Sequence, residues 1–202
     1  MSRHARVARC LALLTAVFVA GCGGGHKSAA THRRVFTETG HGRTMQFALA
    51  AASTGPVTAQ VPSQPIGSTP STIPGVTLQL YVLKRINPNA VLAVFALDIQ
   101  SSVENAALPA KLIEPLDANW GSSGDVQSVS AVSLFDPTGL KEYLPYMANP
   151  KDDTTCMCSN VATAFGDAGV SYAAALLAAP ASSVTSASFV TGLGTIANAP
   201  LG

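Results

Sequence analysis

"VTLQLYVLKRINPNAVLAVFALDIQ" runs from Val76 to Gln100, and its two halves carry different patterns. In the first half Val76, Leu78, Leu80 and Val82 alternate with Thr77, Gln79 and Tyr81. Period two among β-branched and aromatic residues reads as a half-buried strand. Asn87-Pro88-Asn89 then marks a turn, because Pro presets φ and Asn accepts turn conformations. From Ala90 to Gln100 the chain is apolar on both parities. A short run of that kind suits a central strand covered on both faces. The two halves read as a hairpin.

Downstream, Ser101 to Gly124 is interrupted by Pro109 and Pro115 and closed by Gly121 and Gly124. It reads as a long, partly ordered connection. Trp120, the single tryptophan, is expected to cap a core edge rather than stack on a ligand. "DVQSVSAVSLFD" (125–136) returns to strand character. Asp136-Pro137-Thr138-Gly139 is a turn in which Pro presets φ and Gly tolerates a positive φ. "LKEYLPYM" (140–147) resumes as an extended stretch, and "ANPKDDTTCMCSN" (148–160) reads as a loop ending in a cysteine pair. "VSYAAALLAAPAS" (170–182) is ambiguous: its alanines favour helix, while Gly169 and Pro180 keep it short. "VTSASFVTGLG" (184–194) alternates again and reads as a last strand. Short strands with turn signals about every ten residues point to an all-β sandwich. The 127 residues from Val76 to Gly202 suffice for one core and one domain. No internal repeat is evident.

The N-terminus has the form of a targeting segment. Arg3, Arg6 and Arg9 precede the apolar run "CLALLTAVFVA" (10–20). A basic lead and an apolar run this short make a secretory signal, not a mature span. Val19-Ala20-Gly21-Cys22 resembles the lipobox of bacterial lipoproteins. That resemblance implies a signal peptide over residues 1–21 and a lipidated Cys22 as first mature residue. It places the protein outside the cytoplasm, held to a membrane by its lipid. Each buried acyl methylene contributes about 0.8 kcal/mol, so several chains hold a soluble domain at a bilayer. No later stretch supplies about 18 uninterrupted apolar residues, so no second anchor is expected.

Residues 22–75 read as a tether. Pro56, Pro62, Pro65, Pro70 and Pro74 stand among Ser, Thr, Gly and Gln. Such a composition buries too little apolar surface to offset its ordering entropy. "TMQFALAAAS" (44–53) is the exception, fitting either a strand that joins the later domain or a short helix. Charge divides the chain at the same place. Residues 1–75 hold seven Lys or Arg against Glu38 alone, while residues 76–202 hold five against ten acids. The acidic domain lacks the basic footprint that nucleic acid requires.

Three stretches carry a second resemblance: "YVLKRINPNAVLAVFALDI" (81–99), "VSLFDPTGLKEYLPY" (132–146) with "CMCSN" (156–160), and "AAPASSVTSASF" (178–189). Together they resemble a β-sandwich module of exported actinobacterial lipoproteins and cell-wall proteins. In that group a D-P-x-G turn precedes a "YLP" stretch and a C-x-C-S, and an alanine-proline precedes a strand. The resemblance covers most of Val76 to Leu193 and implies an immunoglobulin-like sandwich in the envelope. It implies no activity. "IQSS" (99–102) departs from the group, lacking its usual asparagine. The module is sometimes found with an OmpA-like domain. This sequence is not expected to contain one, so peptidoglycan binding is not carried over.

The residue inventory narrows the chemistry. All four histidines, His4, His26, His32 and His41, precede Val76. A Ser-His or Cys-His nucleophile cannot be assembled from the domain alone, nor can a histidine zinc site. Asp152-Asp153 could offer oxygen to Ca²⁺, but the loop lacks EF-hand spacing and adjacent acids are usually just solvated. No phosphate-cradling glycine loop follows a strand. With Cys10 in the signal and Cys22 lipidated, Cys156 and Cys158 are the only thiols of the mature domain. Three readings remain open for them. They can be a structural disulfide in an oxidising compartment. They can be a redox pair, which needs an accessible, perturbed thiol. Or Cys156, Met157 and Cys158, with Met147 nearby, can offer soft donors to Cu(I). In an extended segment Met157 points opposite its neighbours. The structural reading is favoured. The sequence therefore leads to a non-catalytic envelope lipoprotein with no cofactor, whose sandwich binds or organises an envelope protein or cell-wall partner. The competing expectation is a thiol-redox or Cu(I)-handling lipoprotein.

Overall fold

The Val76–Gln100 stretch forms its antiparallel hairpin in the computed structural model, which describes residues 37–39, 42–50, 55–103, 108–118, 127–149, 152–165 and 169–202. The strands in chain order are β1 (Thr37–Thr39), β2 (Gly42–Phe47), β3 (Val57–Pro62), β4 (Gly67–Pro70), β5 (Val76–Asn87) and β6 (Ala90–Ile99). After helix α1 (Leu108–Leu116) come β7 (Val132–Asp136), β8 (Lys141–Tyr143), β9 (Met147–Asn149) and β10 (Asp152–Cys156). Helix α2 (Val161–Ala164) leads to β11 (Gly169–Ala178), β12 (Ser186–Thr191) and β13 (Gly194–Pro200). One sheet has the order β11-β6-β5-β4, a second β13-β12-β7-β8, a third β1-β2-β3, and β9 pairs with β10. All pairings between these strands are antiparallel. The fold is all-β, an immunoglobulin-like sandwich with a further sheet laid on its outside.

The doubly apolar pattern of β6 has a direct cause. Val91, Ala93, Phe95, Leu97 and Ile99 face the first core, shared with the β13-β12-β7-β8 sheet through Leu134, Phe189 and Ile196. Leu92, Val94 and Ala96 face a second core, closed by Met45, Phe47, Ala59 and Val61. Fully burying a side chain of this size stabilises by about 1.5–3 kcal/mol. A strand flanked by two such cores has no polar face to show. β5 follows the expected alternation only as far as Leu80. A bulge between Leu80 and Val82 inserts Tyr81 as an extra residue. Tyr81 and Val82 then turn to the second core and Leu83 to the first, so Val82 does not share a face with Leu80.

Several elements differ from the sequence reading. The expected tether over 22–75 holds β1, β2, β3 and β4, which belong to the fold, so the strands begin well before Val76. Met45 and Phe47, inside the 44–53 exception, are strand residues and are buried. β4 holds its place by backbone pairing with β5, Gly67 opposite Leu80 and Pro70 opposite Thr77. Pro is acceptable there because β4 is an edge strand. Pro109 and Pro115 do not prevent a helix. Pro109 occupies the first turn of α1, where an N–H has no partner to lose. Leu112 and Leu116, four apart, are fully buried. The alanine-rich 170–178 run is strand, paired with β6 along its whole length. Small side chains suit a strand pressed between two layers, and packing overrides helix propensity. Residues 184–194 do not hold the last strand. β13 follows, and its alternation is hidden by a bulge where Asn198 takes φ 53°. In the Asp136–Gly139 turn the Asp136 carboxylate accepts from Thr138 N at 2.9 Å. The positive φ, 51°, falls on Leu140. Gly139 serves close approach, since a Cβ there would stand 2.6 Å from Asp136 Oδ2.

Candidate functional site

The cysteine stretch is not a loop end. β9 and β10 form a hairpin, Asn149 opposite Asp152 and Met147 opposite Cys156. Beyond β10 the chain stays extended and runs along the edge of β11. Met157 N donates to Tyr146 O at 2.7 Å, Leu176 N to Met157 O at 2.9 Å, and Ser159 N to Ala174 O at 2.8 Å. Ala174 N in turn donates to the Ser159 hydroxyl at 3.0 Å. On its other side the stretch meets the continuation of β2, where Ala50 N donates to Cys158 O at 2.6 Å and Leu49 bridges to Ser159. The segment therefore covers what would otherwise be an open sheet edge.

An extended backbone sends alternate side chains to opposite faces. Cys156 and Cys158 both point into the first core and are 0% exposed. Met157 packs against the second core. Their Cα atoms stand 5.3 Å apart and the two sulfurs are in disulfide-like contact. Met147 packs at the margin of the first core. Cys156, Met157 and Cys158 do not converge: the two sulfurs meet each other, and Met157 faces away, while Met147, opposite Cys156, is on the cysteines' side. Neither sulfur is reachable by a solution partner without opening the core, which removes the accessibility that thiol exchange needs.

Asp152 and Asp153 lie in β10, and their side chains fall outside the described residues, as do Cys22, Trp120 and the four histidines. Among the described residues, no group of three or more His, Cys, Asp or Glu gathers to hold a metal. No helix among them is long and apolar enough to cross a membrane.

Two features have no linear motif. Tyr81 and Tyr172 meet at the second core as a tilted pair, ring centroids 5.1 Å apart and planes at 58°, and Tyr81 OH donates to Gln79 Oε1 at 2.8 Å. Burial first, then the Tyr172 hydroxyl beside it, pushes the Tyr81 phenol well above its ordinary range. The other is a cavity of about 600 Å³ over β7, β8 and β12, bordered by Ser133, Glu142, Leu144, Met147 and Val190. Its only trace in the sequence is the second parity of β7 and β8, which carries Ser133 and Glu142. No known protein family, curated protein or solved structure matches this chain.

Proposed function

We propose that this chain is a non-catalytic, lipid-anchored protein of the cell envelope, whose sandwich serves as a binding or structural module. The observation that carries it is the burial of Cys156 and Cys158 on one core face with Met157 on the other. The cysteine pair, the candidate thiol chemistry of the histidine-free residues 76–202, is thereby enclosed in the core. Cys156 and Cys158 act as a disulfide that fixes the strand lining the edge of β11. The anchor rests on Val19-Ala20-Gly21-Cys22 behind a basic and apolar leader. The tether is shorter than residues 22–75, because strands begin at Thr37.

Mass spectrometry with thiol alkylation tests the reading on the full chain. The expected result is no alkylation of Cys156 or Cys158 until the protein is both unfolded and reduced. The expected modification at Cys22 is a diacylglyceryl thioether, lost in Cys22→Ser together with membrane retention. Tight Cu(I) binding by the reduced, folded protein, abolished in the Cys156→Ser/Cys158→Ser variant, would overturn the reading in favour of metal handling.

A further inference from the structure

The β13-β12-β7-β8 sheet turns Leu134 and Phe189 inward. The cavity lies on its other side. Ala131, Leu144, Pro145, Met147 and Val190 supply apolar wall, and Leu144 is 60% exposed at the rim. Its volume of about 600 Å³ falls within the roughly 300–1,000 Å³ of small-molecule sites. The polar groups on the wall are mostly committed to the protein. The Ser130 hydroxyl donates to Asp117 Oδ1 at 2.9 Å and accepts from Ala118 N at 2.9 Å. The Thr191 hydroxyl donates to Gly194 O at 3.1 Å and accepts from Leu193 N at 3.0 Å. Glu142 differs. Its Oε1 accepts from the Ser133 hydroxyl at 2.7 Å, and Ser133 is itself only 4% exposed. A buried hydroxyl thus orients the Glu142 side chain at the cavity wall. No Lys, Arg or His is among the described lining residues, so the charge there is negative and has no counter-ion from the wall.

We propose that this groove binds an amphiphilic cation, with a hydrocarbon chain along Leu144, Met147 and Val190 and an ammonium or guanidinium head on the Glu142 carboxylate. The chemistry selects on two counts. Apolar walls reward a chain removed from water. A carboxylate without a cationic neighbour in the wall rewards a positive head and rejects a negative one. Ser133 is a positioning residue, setting the direction of the Glu142 oxygen. The inference rests on the sandwich being a binding module and is independent of the lipid anchor.

Calorimetric titration of the full chain with dodecylammonium below its micelle concentration tests it, with dodecyl sulfate and methylammonium as comparators. One saturable site is expected for dodecylammonium, weakening as salt rises, and none for either comparator. Glu142→Gln, which keeps the hydrogen bond to Ser133, should weaken binding roughly three- to tenfold. Val190→Trp should fill the groove and abolish binding, with a thermal melt showing that it remains folded. Should Val190→Trp fail to fold, Glu142→Gln decides alone. Equal binding of dodecyl sulfate, or undiminished affinity in Glu142→Gln, overturns the groove while leaving a binding module whose site lies elsewhere. Absence of any saturable dodecylammonium site overturns the inference too, whereas the thiol and Cys22 measurements judge the broader reading on their own.

Discussion

β6 has two faces, and they are closed by different kinds of partner. On one face Phe95 lies 5.2 Å from Phe189 and 6.0 Å from Phe165, ring centroid to centroid. Its cover comes from β7, β12 and β13, together with α1 and α2, elements spread through the second half of the chain. On the other face Val94 and Ala96 are small, and the bulk is supplied by Met45, Phe47 and Val61 from a single hairpin, β2 and β3. A cover drawn from one contiguous hairpin can lift away at the cost of few other contacts, chiefly the bonds of Leu49 and Ala50 to the Cys158–Ser159 stretch. A cover drawn from many elements cannot, because releasing it releases the sandwich. The difference predicts two levels of stability in one molecule.

The largest expected effect is on the first face. Phe95→Ala leaves a cavity among large, fully buried neighbours and should cost about 3–5 kcal/mol. Urea denaturation followed by fluorescence would measure it as a loss of global stability. Phe47→Ala should cost about 3 kcal/mol, the low end for this change, because it sits near the end of its strand and its neighbours can close in. Its effect should be localised. Native-state hydrogen exchange should show β2 and β3 amides opening with little protection while β6 and β11 keep theirs. Equal loss of protection in all four strands would merge the two levels into one and break the comparison.

Alkaline pH offers a finer probe of the second face. The Tyr81 phenol is raised above its ordinary value of about 10, chiefly by burial. The folded protein therefore holds this proton where the unfolded chain releases it. Its contribution is complete below about pH 10 and falls as pH rises above that value toward the folded pKa. Urea midpoints should decline above pH 10, and Tyr81→Phe should flatten that decline. An unchanged slope in Tyr81→Phe would place the alkaline sensitivity elsewhere.

How far this organisation is legible in sequence depends on which force makes each element. The Val76–Ile99 hairpin is legible because side-chain burial makes it, and burial writes itself as periodicity. The doubly apolar Ala90–Ile99 even announces two cores. β4 is illegible for the opposite reason. "GSTP" is half-exposed and held by backbone pairing with β5, which leaves no mark on composition. β2 and β3 fall between these cases: Met45, Phe47, Ala59 and Val61 alternate properly, but Pro, Gly and Ser around them set the regional average. Tyr81 and Asn198 each sit at a bulge, and a bulge shifts parity in a way that no period detects. At the candidate site, the opposite directions of Met157 and its two cysteine neighbours follow from strand geometry alone. Their burial does not, because it depends on the edge of β11 lying alongside. The groove was least legible, since Ser133, Glu142 and Val190 meet only when β12 lies beside β7.

The smallest expected effect lies at the tip joining β7 to β8, outside both cores, and so calibrates the other measurements. Leu140 holds φ at 51° and is 78% exposed. A leucine in the left-handed region pays roughly 1–2 kcal/mol in contact between its Cβ and the backbone. It recovers little by burial. Asn tolerates this region far better, so Leu140→Asn should stabilise the fold by about 0.5–1 kcal/mol. Leu140→Gly removes the same steric conflict but frees the unfolded chain, which takes back about 0.5–1 kcal/mol. It should therefore come out near neutral. Urea midpoints for the three proteins should follow the order Asn, then Gly and Leu together. Both variants leave Ser133, Glu142 and the groove walls untouched, so neither should alter dodecylammonium binding. If Leu140→Asn instead lowers stability, the exposed leucine is making a contact that its exposure does not reveal, and the division into two cores with an indifferent tip fails at that point.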